Sequence, residues 1–144
     1  MVEKDTIRLL RECDAGVKMG ISSISEVIGY ASDGGLKDRL TECKDEHLRL
    51  DGELQAMLDS FGDEGKSPNP IAKGMSKIKT EIKLTLNESD GTIADLMTDG
   101  CNMGVKSLSK YLNQYSAADE KSKDITKRLI KIEEALAKDM RAFL

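Results

Sequence analysis

Apolar residues recur along this chain at spacings of three and four, and period-two alternation is almost absent, so the pattern predicts helices throughout. The first row is Leu10, Cys13, Val17, Gly20, Ile24, Val27 or Ile28, and Ala31. It breaks at Asp33-Gly34-Gly35, because glycine tolerates the left-handed conformation that ends a helix. A second row follows: Leu36, Leu40, Cys43, His47, Leu50, Leu54, Leu58 and Phe61. The stretch from Gly65 through Pro68 to Pro70 then reads as the clearest loop, with Ser67 or Asn69 available to cap the next helix. That helix carries Ile71, Met75, Ile78, Ile82 and Leu86 on one face and lysines elsewhere. After a weakly helical stretch around Asn87–Thr92, a fourth row runs Ile93, Met97, Cys101, Val105, Leu108, Leu112 and Tyr115. Beyond a tight connection at Ala117-Ala118-Asp119, the last row is Ile125, Leu129, Ile132, Leu136, Met140 and Phe143.

Four of these segments are about 25–28 residues long, close to 40 Å at ~1.5 Å rise per residue. Matched amphipathic rods joined by short turns predict an all-α four-helix bundle of two helical hairpins. The segment before the fourth row, near 17 residues or ~25 Å, is too short for an equal member. It is either the front of a long kinked helix or a helix within the crossover, and the crossover is preferred because a continuous rod would overhang the bundle by ~30 Å. The expected layout is one domain over 1–144, with hairpin one at 3–61, loop and crossover helix at 62–90, and hairpin two at 91–143.

Composition narrows the function. A chain of 144 residues buries enough surface to fold without a disulfide or metal. A net charge of −4 with mixed signs, Trp 0 and Phe 2 argue against a nucleic-acid partner. No 18-residue apolar run is present and the first residues are charged, so neither a membrane span nor a signal peptide is expected. Three cysteines, an odd number without pairing motifs, fit a reducing cytoplasm. One histidine leaves little for general acid–base chemistry.

Cys13-Asp14-Ala15-Gly16-Val17-Lys18 matches Cys101-Asn102-Met103-Gly104-Val105-Lys106 as C-x-x-G-V-K. The same offset pairs Ile24 with Leu112, and a one-residue slip pairs Leu36 with Ile125, Leu40 with Leu129, and Cys43 with Ile132. Row meets row across both helices of each hairpin, which indicates a duplicated helical hairpin. Two such hairpins joined by a long crossover resemble the ferritin-like superfamily over nearly the whole chain. The chain is most similar to small bacterial families of stand-alone ferritin-like bundles, in which a Gly-Glu-x-x-Ala-like run opens the second hairpin. The corresponding stretch here is Asp99-Gly100-Cys101-Asn102-Met103-Gly104-Val105.

Iron-binding members take one Glu from each of two helices and a Glu-x-x-His from each of the others. No Glu-x-x-His occurs here. The resemblance places Cys101 and its mate Cys13 where glutamates would stand, with Cys43 and Ile132 near the first ligand positions of the other helices. Such a degenerate set holds no di-iron centre, so the expectation is no cofactor, no metal and no inherited catalysis. Should a metal site exist, its ligands would come from Cys13, Cys43, Glu46, His47, Asp99 and Cys101, of which Cys43 and His47 share a helical face. The stagger between Cys13 and Cys43, up to ~15 Å, favours a plain core. Glu12, Glu26, Glu42, Asp45, Asp95, Glu133 and Glu134 read as a solvated face.

Gly65-Lys66-Ser67 lacks the upstream glycine and strand of a phosphate loop, and Asn87-Glu88-Ser89 is a sequon that matters only in a secreted protein. The methionines read as core filler and the crossover lysines as a solvated face. Gly16, Gly20 and Gly104, costly inside helices, suggest close backbone approach within the bundle or at a dimer interface. The apolar row of the crossover exceeds what a linker needs and predicts association, most simply as a homodimer. The function read from the sequence is thus a non-enzymatic bundle acting through protein association. The alternative is a metal-binding or redox protein with an unconventional Cys/His/carboxylate site.

Overall fold

The computed structural model describes residues 2–68 and 89–144, and among them every regular element is helical. Helix α1 spans Val2–Val27 and runs into a 3₁₀ turn at Ile28–Tyr30. Helices α2 (Gly34–Ser60), α3 (Asp90–Gln114) and α4 (Glu120–Met140) follow, with a closing 3₁₀ turn at Arg141–Phe143.

Each later helix starts on a side-chain cap. Asp33 accepts from the Leu36 amide at 2.9 Å, Ser89 from Thr92 at 3.1 Å and Asp119 from Ser122 at 2.8 Å, satisfying donors that have no partner inside the helix. The expectation that Gly34 and Gly35 stop the first helix is corrected here. Both lie inside the first turn of α2, and the break falls at Ala31–Asp33, because the Asp33 carboxylate is the stronger signal. Left-handed glycine appears instead at Gly62 (φ 65°), where the Gly62 and Asp63 amides close back onto Asp59 and Leu58 and end α2.

Contacts at the ends fix the topology. The Ala117 and Asp119 amides, between α3 and α4, donate to Asp5 and Thr6 at the start of α1. Asp90, the first residue of α3, accepts from the Ser32 and Asp33 amides beyond the far end of α1. Helix α3 therefore runs antiparallel to α1 and parallel to α2. The two hairpins α1–α2 and α3–α4 pack with α1 against α3 and α2 against α4, and α1 also reaches α4 across the bundle.

The core forms two layers. One holds Leu10, Cys13, Val17, Leu50, Leu54, Leu58, Leu108, Ile125 and Leu129. The other holds Ile24, Val27, Leu36, Leu40, Cys43, Ile93, Met97, Cys101, Leu136 and Met140. All seven second-row positions from Leu36 to Leu58 are buried, as their period demands. Phe61, Val105, Leu112 and Tyr115 lie nearer the surface than the rows imply, and Met103 is an exposed methionine at 69%.

After α2 the chain turns back over α1. Asp63 pairs with Arg11, the Lys66 amide donates to Asp14 at 3.0 Å, and the Lys66 ammonium reaches Glu12. Gly65 is doubly required at this crossing. Its φ is 82°, and a Cβ there would collide with the Asp14 carboxylate and lie 3.1 Å from Leu58. The crossover helix and its apolar row fall on 69–88, outside the described residues.

Candidate functional site

Helical periodicity drives a small set of polar side chains into this interior. Glu133 lies four residues after Leu129 and three before Leu136, on the inward face of α4, and is 7% exposed. The solvated reading of Glu133 is therefore corrected: its period, not its charge, decides where it points, and neighbouring Ile132 is the half-buried one. Its carboxyl sits against Gly104 of α3, in space that any Cβ there would occupy. His47 of α2 does the same against α1, its Nε2 lying 2.5 Å from where a Gly20 Cβ would be. In each hairpin, then, a glycine makes room for a polar side chain from the facing helix.

Neither polar tip is satisfied. His47 Nδ1 donates to the Cys43 carbonyl at 2.8 Å, which leaves Nε2 as the lone-pair atom, and Nε2 has no hydrogen-bond partner among the described residues. Glu133 Oε2 is likewise unpartnered. Burial accordingly favours the neutral forms. It holds the His47 imidazole below its ordinary value and pushes the Glu133 carboxyl up to about 8. Asp14 is the contrasting case. It is fully buried yet accepts from the Lys18 ammonium, the Gln55 amide and the Lys66 backbone, so it is a satisfied structural carboxylate.

All three cysteines are buried free thiols, and burial pushes each up to about 12. For Cys13 a hydrogen bond with Thr126 opposes that rise without reversing it. A thiol in this state is a small apolar core residue.

The six residues named as fallback ligands do not form one site. Cys13 belongs to one core layer, Cys43 and Cys101 to the other, as antiparallel α1 and α3 require of repeat mates. Cys43 and His47 are together, with Sγ 3.6 Å from Nδ1. Glu46 is half-buried and faces Arg39 at 3.4 Å, while Asp99 is exposed on the outside of α3. Among the described residues no group of three or more His, Cys, Asp or Glu side chains is placed to hold a metal ion. The glycines divide as well. Gly20 and Gly104 are close approaches, whereas a Cβ at Gly16 would meet only ordinary contacts, 3.6 Å from Leu129 and 3.7 Å from Leu108.

On the outside, shallow grooves of about 350 and 360 Å³ lie between α2 and α4, separated by the paired fork of Arg128 on Glu53. They lack the enclosed apolar lining of a small-molecule site. No described helix is long and apolar enough to cross a membrane. No protein-family model matches the chain, and no curated protein or solved structure matches it significantly.

Proposed function

We propose that this chain is a ferritin-like bundle that catalyses no reaction and acts by protein association, first with a second copy of itself, in a reducing cytoplasm. The chemistry of the interior carries this reading. The positions that the resemblance assigns to iron ligands, Cys13, Cys43 and Cys101, hold buried thiols in place of carboxylates, raised away from the nucleophilic thiolate, and among the described residues no three His, Cys, Asp or Glu side chains converge to hold an ion. Two antiparallel hairpins with α2 parallel to α3 support the ferritin-like part, because one lengthwise connection in a four-helix bundle is the arrangement of that superfamily. The association part rests on the sequence of the connection, whose row Ile71, Met75, Ile78, Ile82 and Leu86 asks for cover. A metal-binding or redox protein built on Cys13, Cys43, Glu46, His47, Asp99 and Cys101 is the weaker reading, since Asp99 faces outward and Cys13 lies in the other layer.

Light scattering of wild type and Ile78→Glu tests it. The expected result is a dimeric wild type and a variant shifted to monomer. A strict monomer at micromolar concentration, or an Ile78→Glu protein that stays dimeric and folded, overturns the association. Metal analysis of protein purified without a metal-binding tag separates the two readings: a stoichiometric ion surviving chelator overturns the first.

A further inference from the structure

We propose that Glu133 is an alkaline latch: the α3–α4 contact stays shut while its carboxyl is protonated and opens when the proton leaves, admitting solvent to Cys101 and Cys43. The geometry carries this. The carboxyl is wedged between α4 and the backbone of α3 at Gly104, with Oε2 unpartnered and 7% of the residue exposed. An ionised carboxylate there needs a donor or a cation, and among the described residues no element packed around it supplies one. The titratable groups within reach of its charge are the Cys13 thiol on α1, the Cys43 thiol on α2 and the Cys101 thiol on α3, each itself held neutral by burial. Arg39 on α2 is the cation felt at Cys43 and Cys101, and it is already engaged by Asp139 and Glu46. His47 is neutral and turned toward Gly20 on the other hairpin. An uncompensated buried charge is expensive, and the way to hydrate this one is to part α3 from α4. Burial alone raises the carboxyl to about 8, which places the release just above neutrality.

Pulsed alkylation read by mass spectrometry tests the latch on the full chain, wild type beside Glu133→Gln. In the open form the thiol lies in water in both proteins and its ionisation cancels, so the quantity of interest is the ratio of their Cys101 rates. If the open form carries an ordinary carboxylate, that ratio rises by roughly tenfold per pH unit from about pH 5.5 and levels near the native value, close to 8. A ratio that stays flat over this range overturns the proposal. Should Glu133→Gln fail to fold, the wild type alone decides. The infrared carbonyl band of a protonated carboxylic acid is followed together with amide exchange of residues 101–108, corrected for hydroxide catalysis. Protection falling by about tenfold per pH unit until the band is lost supports the latch. A band absent at neutral pH, or lost while protection holds, overturns it.

Discussion

Gly100 and Gly104 stand one turn apart on α3, yet a methyl group added to each meets opposite surroundings. Nothing lies within 4 Å of a Cβ at Gly100, so Gly100→Ala is expected to raise stability by about 0.5–1 kcal/mol through helix propensity alone. At Gly104 the same methyl displaces the Glu133 carboxyl, and Gly104→Ala is expected to cost about 1–3 kcal/mol as an overpacked core does. Gly65→Ala should fall on the losing side too, with its positive φ adding to the collision at Asp14. Urea denaturation of the three variants checks the order. The thiols give a second expectation: at about 12, Cys13, Cys43 and Cys101 should react with alkylating reagent far more slowly in native buffer near pH 7 than in denaturant. Rapid native labelling of all three would contradict their burial. At this scale the sequence was legible for Leu, Ile and Cys, where polarity and period agree. It misled for Glu133 and passed over Asp14. Each stands four residues after one buried residue and three before another, Leu129 and Leu136 for Glu133, Leu10 and Val17 for Asp14. The period was visible, but the charge argued against it, and only the facing glycine or the converging donors show how a carboxyl is housed.

Helix breaks were legible, but the side chains that start the helices were not. The breaks before the later helices were read, but not Asp33, Ser89 and Asp119 as their caps, and the two glycines after Asp33 drew the boundary too far along. Asp90 does more than complement its own helix. It satisfies two backbone amides of the α1–α2 turn, and so ties the second hairpin to the first. Asp90→Ala is expected to cost about 1–2 kcal/mol by orphaning both donors, against about 1 kcal/mol for loss of the simple cap in Asp119→Ala. Thermal melts of the two variants compare them, and equal losses would argue that the Asp90 contacts are frayed in solution. No row pattern reveals this tie, because it joins turns rather than faces.

For the molecule as a whole, two neutral groups in the core shape the pH dependence of stability below the range in which the thiols ionise. Glu133 rises from 4.5 unfolded to about 8 folded, so its contribution is complete below 4.5 and is lost as pH climbs toward 8. His47 is lowered from 6.5, so its contribution is complete above 6.5 and is lost as pH falls. Each slope is at most about 1.4 kcal/mol per pH unit, and just below 6.5 they oppose one another. Melting temperature should therefore change little just below 6.5 and fall from there toward 8, with Glu133→Gln removing that fall. The exposed Arg128–Glu53 pair adds little to the acid limb. Hairpin pairing was legible from the duplicated C-x-x-G-V-K, while the relative direction of the hairpins needed the end contacts. Those contacts carry one more consequence. The turn back over α1 pairs Asp63 and Lys66 with Arg11, Glu12 and Asp14 of the first hairpin, with Lys66 also within electrostatic reach of Tyr111 and Tyr115 of α3, whereas Asp90, Ala117 and Asp119 grip the first hairpin from the second at both of its ends. The described contacts thus tie the two hairpins to each other at both ends. Residues 1–68 and 89–144, produced as separate polypeptides and mixed, should find each other in register and rebuild the bundle as a split pair, with the helical signal of the mixture exceeding that of its parts.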